Sequence, residues 1–194
     1  AHEAIVAAFS AVSHVHECMS FHAEASDTAR LNRNAHRCAV HVTDATFDVL
    51  RFALTLSAAS DGLFGITIAP TLMRWGFLPR RYANRGGTWR DIELADDRTV
   101  RFARPLAVDF GGIAKGYAVD QAAAILARHG LRKFVINAGG DLRIGDAPDA
   151  VFVRAPDGRA HPIGRFKACA VATSAPASVK RCGGHRGHPI VNPQ

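Results

Sequence analysis

The strongest signal in this chain is the stretch Val108-Asp109-Phe110-Gly111-Gly112-Ile113-Ala114-Lys115-Gly116-Tyr117-Ala118-Val119-Asp120. An acidic residue ends an extended run, two glycines follow, and a helical pattern with a lysine in its first turn comes next. Glycines lack a Cβ, so they permit φ > 0 and let a ligand approach the backbone closely. The start of the helix adds unpaired N–H groups and the positive end of the helix dipole. The stretch therefore predicts either a phosphate site or a tight strand-to-helix turn, and alone it does not separate the two.

Two charged side chains flank these glycines. Lys115 would place a cation in the first helical turn, where it can contact a phosphate group, and Asp109 would accept a hydrogen bond from a sugar or a base. The same residues also suit a purely structural turn, in which Lys115 is solvated and Asp109 is a cap. Both interpretations remain open at this point.

A second glycine turn follows the predicted helix. Residues 133–137 predict a buried strand, and this strand runs into Ala138-Gly139-Gly140-Asp141. We expect the two backbone-rich loops to lie near one another, and successive backbone N–H groups in such loops bind anions. The second loop therefore favours the phosphate site over the simple turn.

Hydrophobic periodicity predicts helices and strands before the opening stretch. We expect an amphipathic helix over 3–20, a short helix with Ser26 as N-cap, and a long helix from Thr43 or Asp44 to Ser57. The buried face of the long helix is predicted to carry Phe47, Leu50, Leu54 and Ala58. The other predicted elements are strands: one at 39–42, one that follows a helix break at Asp61 and ends at Pro70, and a pair at 92–94 and 99–102.

After the opening stretch the pattern changes from one helix to short strands. The helix is predicted to end before Gly130 and to present a face made of Ile113, Tyr117, Gln121, Ile125 and Leu126. Strands follow near 150–154, 161–164 and 168–174, and Pro156-Asp157-Gly158 predicts a hairpin turn. Residues 185–194 are predicted to form an exposed loop.

Length and composition are ordinary for a globular protein. The chain has 194 residues, 48% of them hydrophobic and 21% charged, which suffices for one domain or two small lobes. Its net charge of +7 favours anionic partners. Because the arginines are spread out and mostly lack interleaved aromatic residues, the composition favours a nucleotide-sized ligand over nucleic acid.

Targeting and metal-binding signals are weak. No stretch approaches the roughly 18 apolar residues of a membrane span, and the N-terminus lacks a signal-peptide pattern, so we expect any targeting segment to have been removed. The four cysteines have no paired spacing, which disfavours a structural zinc site or a disulfide scaffold. Cys182, His185 and His188 have the spacing of a chelate, but Gly183-Gly184 between them favours a flexible loop.

The residues from Asp109 to Asp120 resemble the motif D-[LF]-G-[GA]-I-A-K-G-Y-[AG]-x-D of the ApbE-type FAD:protein FMN transferases. Residues 137–141 are similar to the N-x-G-G-D motif of that family, and the two motifs occur in the family's order and separation. Weaker similarities extend the resemblance over nearly the whole chain, at Met19-Ser20 with Ser26 to Asn32, Asp61 to Thr67, Val171 to Ser174, and His188 to Pro193.

The resemblance implies an α+β fold of T-fold-like architecture, with mostly antiparallel sheets and packed helices, in a single domain over 1–194. It implies Mg²⁺-dependent transfer of FMN from FAD to a Thr or Ser hydroxyl of an acceptor protein, with no nucleic acid involved. It also implies a periplasmic or inner-membrane-associated protein, anchored by lipid in its full-length form. No catalytic residue is implied. The resemblance implies that Asp109 and Lys115 contact FAD. It implies that the flavin or adenine pocket is lined by Leu63, Phe64 and Gly65. It also implies that His188 lies near the bound nucleotide and that the Gly112 carbonyl is a Mg²⁺ ligand.

This chain departs from the family pattern at several places. The family's N-terminal A-M-G-T strand would precede Ala1, and its metal motif A-D-x-x-x-T would follow Gln194. Gly65 replaces the usual Asp, and His22 stands where many members have Tyr. We therefore expect either a fragment truncated at both ends or a relative that has lost the metal. The alternatives are a flavin-binding protein without transferase activity and a dinucleotide oxidoreductase, which the lack of G-x-G-x-x-G disfavours.

Overall fold

The computed structural model describes residues 1–82, 86–155 and 157–173, together with the backbone of the strands at 180–182 and 185–187. The chain divides into two compact units. The first unit comprises residues 1–13 and 115–174, and the second comprises residues 14–114 and 175–194. The expectation of a single domain over 1–194 stays a prediction.

The elements form an α+β architecture, and every strand pair that the structure describes is antiparallel. This confirms the predicted fold class. The helices are α1 His2–Met19, α2 Asp27–Asn34, α3 Asp44–Ala59, α4 Ala69–Arg74 and α5 Ala114–Arg128. The strands are β1 Val40–His41, β2 Ile92–Leu94, β3 Thr99–Phe102, β4 Val135–Ala138, β5 Asp141–Ile144, β6 Asp149–Arg154, β7 Ala160–Phe166, β8 Cys169–Val171, β9 Lys180–Cys182 and β10 His185–Gly187.

Helix caps in the second unit form as the sequence predicts. The Ser26 hydroxyl accepts a hydrogen bond from the Ala29 N–H at the start of α2, and the Thr43 hydroxyl does the same for Thr46 at the start of α3. The buried Asp27 carboxylate links the two caps, because its Oδ2 accepts bonds from both the N–H and the hydroxyl of Thr43, each at 2.8 Å. The caps therefore set the starts of both helices and the contact between them.

An asparagine holds the run that leads into the opening stretch. The Asn32 side chain on α2 is 3% exposed, and its amide bonds both backbone groups of Val108: Nδ2 donates to the carbonyl at 3.0 Å, and Oδ1 accepts from the N–H at 2.8 Å. Residues 106–108 and Phe110 are buried but form no β-strand. The amide side chain thus replaces the neighbouring strand that such a buried run would otherwise need.

The predicted buried face of α3 and the predicted strand that ends at Pro70 are both wrong. The buried face of α3 carries Thr46, Val49, Leu50, Ala53 and Ser57, whereas the predicted Phe47 and Leu54 are half-buried and Ala58 is exposed. The strand predicted to end at Pro70 is a 3-10 turn, Ile66–Ile68, followed by α4. Proline lacks an N–H that the first turn of a helix leaves unpaired anyway, so Pro70 begins a helix here rather than ending a strand.

The first unit packs α5 beside two sets of strands. Strands β4, β5 and β8 form one sheet in the order β4-β5-β8, and β6 pairs with β7 around the predicted hairpin turn. Gly130 stops α5 with φ +74°, as predicted. The buried face of α5 differs from the predicted one, since only Leu126 of that set is buried, and β4 is half-exposed rather than buried. One buried cluster of this unit contains Ala4, Ala8, Ala122 and Leu126, and Ile144 and Val151 on its strands are also buried.

The C-terminal segment contains strands where a loop was predicted. Strand β10 pairs with β9, with His185 opposite Cys182 in the register. The exposed loop predicted over 185–194 is therefore wrong for residues 185–187, which form a strand. His188 and the predicted Asn192-Pro193 turn lie outside the described residues.

Within the described part of the chain, no helix combines the length and the hydropathy that crossing a bilayer requires.

We predict that Asn32→Ala lowers the free energy of unfolding by about 3 kcal/mol, because it leaves two buried backbone groups of Val108 without partners. Urea denaturation followed by circular dichroism measures this change. Asn34→Ala, at an exposed position of the same helix, is the matched control, and we expect it to change stability by no more than about 0.5 kcal/mol. Equal losses in the two variants would contradict the role of the Asn32 amide.

Candidate functional site

The Asp109 loop is a tight turn built on backbone contacts in the second unit. The Asp109 N–H donates to the Ile66 carbonyl at 2.8 Å, and Asp109 Oδ2 accepts from the Gly111 N–H at 3.1 Å. A Cβ on Gly111 would lie 2.8 Å from this Oδ2, closer than a carbon atom can approach it. Neither Gly111 nor Gly112 has a positive φ, although glycine permits one. Glycine is needed at 111 because the carboxylate folds back over it.

Phe64 lies beside this loop. A Cβ built on Gly112 would meet Phe64 Cε2 at 3.9 Å, an ordinary contact distance, so the phenyl ring borders the space next to Gly112. Phe64 itself is half-buried and donates its N–H to the Ser60 hydroxyl at 3.0 Å, while Leu63 is 62% exposed. The structure therefore brings the predicted residues Phe64 and Gly112 together and leaves an apolar side chain, Leu63, exposed to solvent.

The Asp109 carboxyl has a perturbed protonation equilibrium. Burial raises the pKa of Asp109 above its ordinary value, while the Gly111 N–H and the charge of the nearby His22 act in the opposite direction and lower the pKa. A carboxyl of this kind accepts hydrogen bonds when ionised and donates one when protonated. The Asp109 carboxyl can therefore form a hydrogen bond with a polar group on a ligand.

Lys115 meets the second glycine turn in the first unit. Its Nζ lies 3.0 Å from Asp141 Oδ2, with Lys115 56% exposed and Asp141 20% exposed. Because Lys115 is more than half exposed, water screens part of this interaction and the ammonium group can be reached from solvent. In the sequence, Asp141 belongs to the motif at 137–141, but no pattern assigns Lys115 to it as a partner. The opposite charges of Lys115 and Asp141 are the sequence signal that could have predicted this ion pair.

The second glycine turn is a two-residue hairpin between β4 and β5. Gly139 and Gly140 have φ values of +65° and +102°, which are the positive values that a type I′ turn needs at both central positions. Asn137 Oδ1 accepts from the Gly140 N–H at 3.0 Å, and the Thr173 hydroxyl donates to the Gly140 carbonyl at 3.3 Å. Thr173 belongs to the weaker motif similarity at Val171 to Ser174, and this hydrogen bond places it directly against the turn.

The described residues provide no cluster of metal-binding side chains for magnesium. Mg²⁺ prefers near-octahedral coordination by oxygen, with carboxylates among the usual ligands. Among the residues that the structure describes, no group of three or more His, Cys, Asp or Glu side chains could hold a metal ion. Gly112 is exposed, so its carbonyl can be approached, but it offers one oxygen only. His188 is not among the described residues, and its predicted position near the nucleotide stays a prediction.

Comparison with known proteins places these motifs in one family. The profile of the ApbE family matches residues 2–194. The FAD:protein FMN transferase of Vibrio cholerae is 27% identical over 142 residues, which is 67% of this chain and 42% of the relative. The FAD:protein FMN transferase of Salmonella typhimurium is 26% identical over 129 residues, which is 58% of this chain and 37% of the relative. The chain thus spans less than half the length of these curated relatives.

A solved structure shows the same fold. The crystal structure of the ApbE protein of Thermotoga maritima matches with a TM-score of 0.86 at 27% sequence identity, over 99% of this chain and 69% of that chain. Such a TM-score over nearly all residues shows that this chain shares the fold of that protein.

We predict that Asp109→Asn raises the free energy of unfolding at pH 7 and that its advantage over the native chain disappears at low pH. With a pKa raised in the folded state, the native carboxyl binds more protons folded than unfolded, so stability falls as pH rises from about 4 through the folded-state pKa. Asparagine does not titrate and still accepts from the Gly111 N–H.

Urea denaturation at several pH values between 4 and 7 measures this difference. The control is Asp96→Asn, which removes one carboxylate from an exposed turn. A stability difference between Asp109→Asn and the native chain that does not vary with pH would contradict the prediction.

Proposed function

Because this chain belongs to the ApbE family, we propose that it binds FAD and transfers the FMN half of FAD to a Thr or Ser hydroxyl of an acceptor protein. The observation that carries the proposal is the Asp109 loop, where the carboxylate accepts from the Gly111 N–H and the Phe64 ring lies next to Gly112. The relatives named FAD:protein FMN transferase support the same reaction.

The proposed reaction is a phosphoryl transfer. The acceptor oxygen forms a bond to the phosphorus of the FMN half, the pyrophosphate bond of FAD breaks, AMP leaves, and the hydroxyl proton is released. Such reactions depend mainly on positioning the reactants and on neutralising phosphate charge. The chain's own contribution is therefore to hold FAD still and to place positive charge beside its phosphates.

Two side chains supply these contributions. Lys115 neutralises phosphate charge after exchanging the Asp141 carboxylate for a phosphate oxygen. Asp109 orients the nucleotide by bonding a hydroxyl or amine donor, while its bond to the Gly111 N–H fixes the carboxylate. Phe64, with the exposed Leu63 and the side-chain-free Gly65, offers an apolar wall for a flavin or adenine ring. His188 is proposed to lie near the bound nucleotide.

Mg²⁺ is part of the proposal because the family resemblance implies it. The ion would supply charge neutralisation at the pyrophosphate. The Gly112 carbonyl is the ligand that the described residues would contribute, and we assign no step to the ion.

We also propose, on the resemblance alone, a periplasmic or inner-membrane-associated location with a lipid anchor in a full-length form.

We predict AMP release and FMN labelling when the chain is mixed with FAD, Mg²⁺ and a peptide that contains one threonine. Mass spectrometry detects the added FMN mass on the peptide, and chromatography detects AMP. The matched control is the same peptide with valine in place of threonine, which cannot accept FMN. Retained FAD without AMP would instead support a flavin-binding protein without transferase activity, and no FAD binding would exclude both functions.

We predict that Lys115→Ala and Asp109→Ala each weaken FAD binding about tenfold, since each removes one charged hydrogen-bond partner of the nucleotide. Titration monitored by flavin fluorescence measures the dissociation constants. Lys133→Ala removes an exposed lysine from the same unit as Lys115 and serves as the control. An equal loss of affinity in Lys133→Ala would show that overall charge, rather than position, determines binding.

A further inference from the structure

The ammonium group of Lys115 already contacts an anion that belongs to the chain itself. Its Nζ lies 3.0 Å from Asp141 Oδ2, which is within hydrogen-bond distance. Both residues lie in the first unit. A carboxylate of the chain therefore contacts the same ammonium group to which the proposed function assigns a phosphate.

The Asp141 side of this ion pair is constrained by the hairpin turn. Asp141 is the first residue of β5 and pairs with Ala138 across the turn. The Gly140 N–H donates to Asn137 Oδ1, and the Gly140 carbonyl accepts from the Thr173 hydroxyl. A Cβ on Gly140 would lie 2.7 Å from Thr173 Oγ1, so these two segments approach as closely as a glycine allows. The backbone immediately before Asp141 is therefore constrained by contacts with β4 and with Thr173.

The Lys115 side of the ion pair has more freedom. The Lys115 side chain is 56% exposed, whereas the Asp141 side chain is 20% exposed. A lysine ammonium group also lies at the end of a flexible four-carbon stem. When a second anion binds, we therefore expect the ammonium group to move and the carboxylate to stay in place.

A phosphate group at Lys115 would meet the Asp141 carboxylate in one of two arrangements. If the phosphate replaces the carboxylate, the ion pair must first break. If the ammonium group uses its three N–H donors to contact both anions, two like charges lie close together and repel each other. Both arrangements cost free energy, so the carboxylate opposes phosphate binding in each of them.

We propose that Asp141 is an internal competitor for Lys115, which weakens the binding of the FAD phosphates at this ammonium group. The inference rests on the proposed function for the identity of the ligand. Asp141 acts through Lys115 and needs no contact with the flavin or the adenine. Removal of its charge should therefore tighten the binding of FAD and leave the binding of riboflavin, which carries no phosphate, unchanged.

The test compares dissociation constants for FAD, measured by flavin fluorescence without an acceptor peptide. Asp141→Asn keeps the size of the side chain and removes its charge, and it should bind FAD about fivefold more tightly, the upper range for an exposed ion pair. The matched control is Asp146→Asn, which removes a carboxylate that pairs with Arg132 in the same unit. The control should leave the dissociation constant for FAD unchanged.

A double variant tests whether the effect passes through the lysine. Lys115→Ala combined with Asp141→Asn should bind FAD no more tightly than Lys115→Ala alone, because the two residues act as one pair. Asp141→Ala also removes the carboxylate and provides the independent variant if Asp141→Asn does not fold.

Four outcomes would overturn the inference: unchanged or weaker FAD binding in the Asp141 variants, equal tightening in Asp146→Asn, tightening that persists in the double variant, or riboflavin binding that changes as much as FAD binding. FAD titration of the native chain separates the inference from the proposed function. Absence of FAD binding to the native chain refutes the proposed function, whereas FAD binding that is no tighter in Asp141→Asn refutes the competition alone.

Discussion

The pair of hydrogen bonds between the Asn32 side chain and the Val108 backbone is the contact on which the candidate site depends. The two residues are 76 positions apart in the chain, and the contact is almost fully buried. Residues 106–108 have no strand partner, so the amide of α2 satisfies the backbone that leads directly to Asp109. The Ile66 carbonyl then bonds the Asp109 N–H. The position of the carboxylate thus depends on α2 and on the turn that follows Phe64.

The stretch that dominates the sequence belongs to both units. Residues up to Ala114 lie in the second unit, and Lys115 onward lies in the first. Asp109 is held by Asn32 and Ile66, and Lys115 is paired with Asp141 on the second glycine turn. Each of these two charged residues therefore has its contacts within its own unit.

The helix faces show where hydrophobic patterns fail. On α3 the pattern favoured Phe47 and Leu54, yet the helix buries Thr46 and Ser57. Ser57 can be buried because its hydroxyl donates to the Ala53 carbonyl one turn earlier, which satisfies its polar group within the helix. On α5 the buried residues are mainly alanines, whose small side chains allow close approach of neighbouring elements. In both helices, side-chain size and hydrogen bonding determined which residues are buried more strongly than hydrophobicity did.

Local sequence patterns were sufficient to predict the helix starts at Ser26 and Thr43, the helix end at Gly130 and the turn at Gly139-Gly140. Each of these features involves only residues that lie within one turn of each other. The two glycine motifs were also sufficient to identify the family. The tertiary structure alone decided the bonds from Asn32 to Val108 and the pairing of Lys115 with Asp141. These features join segments far apart in the chain, and no local pattern specifies which distant partner satisfies a buried polar group.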